Sequence, residues 1–272
     1  MKIVAAGLSF NEADIITECV SSALKWADAF VLYDSSVDNT AWLAEQAGAQ
    51  VIKGDPEEEF NEALRQHTLD MASDLDADWI VRTDPDEFYP YGARWPNSEP
   101  QDMRHIIAQA RARGEWAIRA DVVQFWVTLD DMRRGFILED ERAPVQQRRR
   151  WYSVGHTAVA AWRHDPRFQY KPGEKKNLPF CPDGRDVGAF AREPLMIQTH
   201  YTCRSWPQMW GRVIDRRRNK AAFGKYQKNL VIDEAWAGLH YWDGGPFAPQ
   251  ANHDNVYRWF EKADALYVER GL

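Results

Sequence analysis

The sequence predicts an α/β protein: a mostly parallel sheet with helices on both faces, followed by a C-terminal helical extension. Three observations carry this expectation. Short apolar runs alternate with amphipathic segments through residues 1–90. Capping and turn residues separate the two kinds of segment. Of the 272 residues, 44% are hydrophobic, which is enough apolar mass for a large core.

Each element follows from local pattern. Lys2 to Gly7 is an apolar first strand, and residues 12–26 place Ile15, Ile16, Cys19, Val20, Ala23 and Leu24 on one helical stripe. Ala29 to Tyr33 reads as a second strand. Asp38-Asn39-Thr40 then caps a helix that runs through Ala47 and stops at Gly48. Ala49 to Lys53 is a third strand. Residues 59–73 form a helix with Phe60, Ala63, Leu64 and Met71 inward, and Trp79 to Arg82 is a fourth strand. Such alternation requires a parallel sheet, whose ligands lie beyond the carboxyl ends of its strands. Ser9 to Glu12, Asp34 to Asp38 and Asp84 to Glu87 are therefore expected along one rim.

Beyond Pro100 the pattern loosens. Residues 101–113 read as a helix, 116–128 as a long strand or strand pair, and Ala158 to Arg163 as a short strand. Leu195 to Ile197 is a further strand, and 205–220 and 253–269 are helical. With no repeat or linker, residues 1–204 are expected to form one main domain, with an insertion at about 130–190. Residues 205–272 would be a helical extension packed on it.

Composition removes several classes of function. The formal net charge of -7 opposes loose, charge-driven binding to nucleic acid. The basic runs Arg148 to Arg150 and Arg216 to Arg218 read as solvated faces. No apolar run reaches the roughly 18 residues needed to span a bilayer. The opening stretch reads as a strand and not as a signal peptide. Cys19, Cys181 and Cys203 are odd in number and lack metal-like spacing, so reduced thiols and a cytoplasmic location are expected.

The densest chemistry is "TDPDEF", where Asp84, Asp86 and Glu87 crowd the end of the fourth strand. Carboxylates one residue apart suit a hard divalent cation, and Pro85 biases Asp84 towards an extended conformation. An acidic surface turn is the plain alternative; the position on the ligand rim favours function.

Asn11-Glu12, Asp34, Ser36-Val37-Asp38-Asn39-Thr40, Ala63-Leu64-Arg65 and Asp84-Pro85-Asp86 stand in one order and spacing from Ser9 to Phe88. In this the chain resembles the start of the family-2 glycosyltransferases with a GT-A fold. The resemblance implies a nucleotide-sugar donor, a uridine diphosphate sugar by default, and a Mn2+ or Mg2+ ion. It implies that Asp86 ligates the ion, that Asp84 approaches the ribose or the ion, and that Asp34 contacts the nucleoside. Asn11 and Glu12 would belong to the same donor site. Arg65 faces this rim and pairs with phosphate or base, or else is a surface ion-pair partner. Asp38 reads as a helix cap, and Ser9 with Glu12 fits a capping box.

Downstream, "THYTCRSW" is similar to a His-Tyr-x-x-Arg-Ser segment of some of these transferases. There the histidine, here His200, completes the metal site, and the basic residue, here Arg204, lies near the diphosphate. A structural histidine is the alternative. An inverting transfer needs a carboxylate base, and Glu174, Asp183 and Asp186 are the candidates before His200. The Glu-Asp pair that many members carry is absent from that interval.

The expected activity is a metal-dependent glycosyl transfer of the hexosyltransferase kind. The acceptor hydroxyl stays open among glycan, protein, small molecule and modified DNA base. Arginines and tryptophans in the insertion and C-terminal helices favour a large or anionic acceptor. The rivals are a nucleotidyltransferase, for which "GLSFNE" lacks a Gly-rich, Lys-containing loop, and a non-catalytic carbohydrate- or nucleic-acid-binding module.

Overall fold

A computed structural model describes residues 1–56, 62–136, 140, 143–171, 178–202, 204, 208, 231–232, 239–241 and 243–248. Its strands are β1 (Ile3–Ser9), β2 (Ala29–Asp34), β3 (Gln50–Lys53), β4 (Trp79–Arg82), β5 (Glu87–Phe88), β6 (Ala117–Thr128), β7 (Trp151–Arg163), β8 (Ala191–His200), β9 (Val231–Ile232) and β10 (His240–Tyr241). The helices are α1 (Ile16–Ala23), α2 (Thr40–Gln46), α3 (Arg65–Asp74), α4 (Met103–Ala112), α5 (Leu129–Arg133) and α6 (Val145–Arg148). The chain divides into two compact units. The first holds Met1–Arg94, Glu99–Asp121 and Thr157–Gln198; the second holds Trp95–Ser98, Val122–His156 and the described residues of Thr199–Leu272.

The sheet order is β3-β2-β1-β4-β7-β6-β8-β5, and the first unit holds β1 to β5 with only part of β6, β7 and β8. The first four strands are parallel, whereas β7 runs antiparallel to β4, with Trp79 opposite Arg163. The chain moves outward from β1 to β2 and β3, then returns to the far side of β1 as β4. That reversal makes the carboxyl end of β1 the switch point, where open α/β sheets bind ligands.

The core follows from strand alternation. Val4 and Ala6 of β1, Val31 of β2 and Ile80 of β4 pack with Leu69 and Ala72 of α3 and with Trp162 of β7. Each fully buried aliphatic side chain here contributes about 1.5–3 kcal/mol. Ile3 and Ala5, one residue out of step, point to the opposite face and are equally buried. α1 turns inward its stripe of Ile16, Cys19, Val20 and Ala23. Gly48, at φ 103°, ends the turn after α2 in the left-handed region that favours glycine.

Several local expectations shift. α1 starts at Ile16, because Ile15 (φ -134°) is its non-helical N-cap and the Ile15 and Ile16 amides donate to the Glu12 carbonyl. No capping box forms there: the Ser9 hydroxyl donates instead to Asp34. The third helix opens as a 3-10 turn, Glu62–Leu64, before α3, and Phe60 lies outside the described residues. The strand expected at Ala158 begins at Trp151 because β10 pairs with its first residues. Cys19 and Cys181 are free and buried, and Cys203 lies outside the described residues. Among the described residues no helix is long and apolar enough to cross a membrane.

The second unit is built on aromatic rings. Phe125 stacks on Tyr201 with centroids 4.6 Å apart, and Tyr152 and Phe247 meet edge to face at 5.3 Å. The reading of Arg148 to Arg150 as a solvated face is corrected here. Arg148 and Arg149 are buried, and both donate to the backbone carbonyl of Arg204, at 2.6 and 2.5 Å. Arg149 also lies 3.7 Å from the Asp131 carboxylate and over the Phe136 ring. A buried cation must be paired to be tolerated, so these side chains turned inward with their partners. The helices expected at 205–220 and 253–269, with Arg216 to Arg218, Trp206 and Trp210, fall outside the described residues.

Candidate active site

The carboxyl ends of β2, β1 and β4 bring together Asp34, the 9–12 loop and Asp84. Asp34 is the last residue of β2, opposite Ser9 in register, and is buried. Its Oδ1 accepts from Ser9 Oγ and, at 2.6 Å, from Ser36 Oγ. The left-handed Asn11 donates its amide to Ser36 Oγ at 2.7 Å, and its Oδ1 accepts from the Val37 amide at 3.0 Å. Glu12 is buried and donates its amide to Thr40 Oγ1, while the Thr40 amide donates to Asp38 Oδ1. Asp38 is thus not the cap that its sequence position suggested: the N-cap of α2 is Asn39, and Asp38 bonds Thr40 from one residue before it. The two loops form one hydrogen-bonded knot around Asp34.

Asp84 sits at the switch point. Its Oδ1 accepts from the Leu8 amide of β1 at 3.2 Å. Arg65, the first residue of α3, grips both of its oxygens, Nη1 to Oδ1 at 2.7 Å and Nη2 to Oδ2 at 2.8 Å. The Arg65 side chain is only 6% exposed and that of Asp84 21%, so this is an interior bidentate pair. Burial alone would raise the Asp84 carboxyl. The Arg65 charge and hydrogen bonds, helped by Arg82, outweigh it and hold the carboxyl below its ordinary value. Of the two roles expected for Arg65, the structure shows an ion pair, with Asp84 as its partner.

Asp86 follows Pro85 in a tight turn, closed by the Glu87 amide donating to the Asp84 carbonyl at 2.8 Å. Beneath the turn, Arg82 Nη2 donates to Glu87 Oε1 at 3.1 Å, and the Tyr89 hydroxyl donates to the Arg82 carbonyl. Cys19 of α1 lies under the same turn. Burial pushes its thiol well up, and the charges of Asp86, Asp84, Glu87 and Glu12 push the same way. Arg65 pairs with Asp84 and Arg82 with Glu87, which offsets part of this negative charge.

Gly7 permits this arrangement. A Cβ added there would overlap the Thr83 carbonyl oxygen, so β1 and the 83–84 backbone touch only because position 7 has no side chain. Gly7→Ala is expected to push Thr83 and Asp84 off the strand end, at a cost of about 1–3 kcal/mol. Denaturant unfolding would check this; a wild-type value would mean that the rim tolerates the displacement.

The other predicted residues lie elsewhere. Glu174 is outside the described residues. Asp183 is exposed on a turn and pairs with Arg185 at 2.6 Å, whose hydrogen bonds hold its carboxyl below the usual range. It shares the surroundings of the Cys181 thiol with Asp165. Asp165 follows His164, whose amide bonds the Asp78 carbonyl before the start of β4. Asp186 is half-buried, bridges to Phe180 and leads into the 3-10 turn Val187–Phe190.

His200 and Arg204 belong to the second unit. His200 is half-buried, with Nε2 3.3 Å from Thr202 Oγ1, and Gln124 Nε2 donates to both the His200 carbonyl and Thr202 Oγ1. Arg204 is fully buried, and its Nη1 donates to the Tyr201 carbonyl at 3.4 Å. Sequence reading missed Gly7, Ser36 and the Arg82–Glu87 pair. Ser36 alone carried a signal, as part of the turn motif.

No family model matches the chain, and no curated protein matches it. Solved structures match it in part. A mycobacterial protein is 18% identical over 45% of this chain and 41% of its own, with a TM-score of 0.31. Mannosyl-3-phosphoglycerate synthase from Rubrobacter xylanophilus is 16% identical over 46% and 41%, with a TM-score of 0.33. A 4-diphosphocytidyl-2C-methyl-D-erythritol synthase is 12% identical over 60% and 76%, with a TM-score of 0.34. The match spans about two fifths of the length of the first two. At these scores the similarity decides neither fold nor activity, which rest on the chain's own sheet and side chains.

Proposed function

We propose that this chain is a metal-dependent glycosyltransferase of the GT-A type, moving a sugar from a nucleoside diphosphate donor to an acceptor hydroxyl. One observation supports the reading above others: Asp84 is clamped by Arg65 at the switch point, with Asp86 presented one residue beyond it. Asp34, held by two serine hydroxyls on the adjacent strand end, offers its acceptor oxygens to a ribose hydroxyl or base N–H.

Mg2+ and Mn2+ take oxygen ligands and are often held by one or two carboxylates together with substrate phosphates. The acidic turn fits that chemistry. Among the described residues no three His, Cys, Asp or Glu side chains form a ready-made cage. Asp86 would hold the ion, with Asp84 fixed behind it by Arg65, and His200 is the proposed further ligand. When bound, the ion would stabilise negative charge growing on the departing diphosphate.

The reaction itself is a substitution at the anomeric carbon. The acceptor oxygen bonds that carbon while giving its proton to a carboxylate, and the carbon–oxygen bond to the diphosphate breaks with the electron pair leaving on the diphosphate. Glu174, Asp183 and Asp186 are the proposed bases, and Asp183 would have to part from Arg185 to serve.

The test is a thermal-shift and hydrolysis screen of nucleoside diphosphate sugars with and without Mn2+. The reading requires at least one donor that both stabilises the protein and releases its diphosphate in a metal-dependent way. Stabilisation by a nucleoside triphosphate, with pyrophosphate release, would replace it with a nucleotidyltransferase. His200→Ala is expected to raise the half-saturating metal concentration at least tenfold, about 1.4 kcal/mol, with little change in metal-free melting. Lost stability at unchanged metal demand would make His200 structural.

A further inference from the structure

The second unit carries a half-exposed aromatic face that the donor site does not use. On the β7–β10 pair Trp151 stands directly opposite Tyr241, and the two rings meet edge to face at 5.2 Å. Tyr241 is 53% exposed and Trp151 half-exposed. The indole is pinned: its Nε1 donates to Asp130 Oδ2 at 3.1 Å, and Arg134 Nε lies 3.1 Å from the same oxygen. Leu129, 38% exposed, adjoins Asp130 in the chain. Trp126, half-exposed on the neighbouring strand, donates its Nε1 to Ser153 Oγ, two residues from Trp151 and so on the same face.

We infer that this face is a carbohydrate-binding platform that takes a neutral oligosaccharide, the acceptor class for the glycosyl transfer proposed above, on which the acceptor assignment rests. A pyranose offers an apolar C–H face and a rim of hydroxyls that both donate and accept. A fixed indole and phenol match the first, and a carboxylate beside a guanidinium matches the second. Rigid aromatic side chains lose little entropy on binding. Charge selects among flat ligands. Asp130 at the ring edge is offset by Arg134, Arg148 and Arg149 are turned into the interior, Arg150 is half-buried, and the chain is net negative. A nucleic-acid strand, which would also stack, is disfavoured on those grounds. Of the arginines that had favoured an anionic acceptor, Arg148 and Arg149 do not face this surface.

The experiment needs no donor or metal. Tryptophan fluorescence and NMR titrations would use neutral glucan, mannan, galactan, xylan and chitin oligosaccharides, with oligothymidylate as the anionic rival. At least one neutral oligosaccharide is expected to bind with Kd near or below about 1 mM. Trp151→Ala and, separately, the surface change Tyr241→Ala should each weaken it at least tenfold at unchanged melting temperature. Trp42→Ala, exposed on α2 in the first unit, should leave it unchanged, as should Asp86→Asn. Absence of binding across the panel, equal affinity in both platform variants, or tighter binding of oligothymidylate would each overturn the assignment. Failure of the donor reading is separable. It would abolish metal-dependent donor hydrolysis while leaving sugar binding in place, whereas failure of the platform does the reverse.

Discussion

Asp86→Asn is expected to lower donor-dependent turnover by a hundredfold or more, the scale of losing one group that stabilises transition-state charge, roughly 3 kcal/mol. The amide keeps the size of the carboxylate but removes its charge, so an ion held jointly with substrate phosphates would lose its strongest protein ligand. The fold should be indifferent. Asp86 is half-buried on a turn closed by backbone bonding from Glu87 to Asp84, which the substitution leaves intact. Turnover measured across a Mn2+ series, beside a melting curve, checks both halves. Full activity in the variant, or undiminished wild-type activity in chelator, removes metal dependence from the proposed function.

Arg65→Met is expected to cost about 3–5 kcal/mol of stability at neutral pH, because it leaves the Asp84 carboxylate without its interior cation. The pH dependence identifies the cause. In the wild type the Asp84 carboxyl lies below its ordinary value, so its contribution is fully present above the unfolded value of about 3.9. That contribution is lost as pH falls through the lower folded value. Without Arg65 burial prevails and the carboxyl rises, so the variant loses stability as pH climbs through the range above about 4. Urea unfolding at neutral and acidic pH should therefore show a gap between the two proteins that narrows on acidification. A gap independent of pH would make Arg65 a packing residue. Activity should fall as well, since Asp84 would lose its fixed orientation.

The two experiments separate what Asp84 and Asp86 do, although the sequence presents them as equivalent members of one acidic run. Arg65 makes the difference. It lies 19 positions earlier and meets Asp84 only because α3 begins at the same end of the sheet.

By itself the sequence determined the α/β class, the four parallel strands and the rim on which Asp34 and Asp84 stand. Those features depend on periodicity and on turn residues within short windows, such as the apolar run at Trp79 to Arg82 and Gly48 after α2. Only the tertiary structure decided that Ser9 serves Asp34 and not a capping box, and that Gly7 lets Thr83 approach. It also decided that Arg148 and Arg149, which local sequence presents as a surface charge run, are interior. For Ser9 and the two arginines the physical reason is the same. Partner choice for a polar or charged group depends on which distant backbone or side chain is within hydrogen-bond reach once the core has closed. A burial cost of several kcal/mol per ion then turns the side chain towards that partner, wherever it lies along the chain.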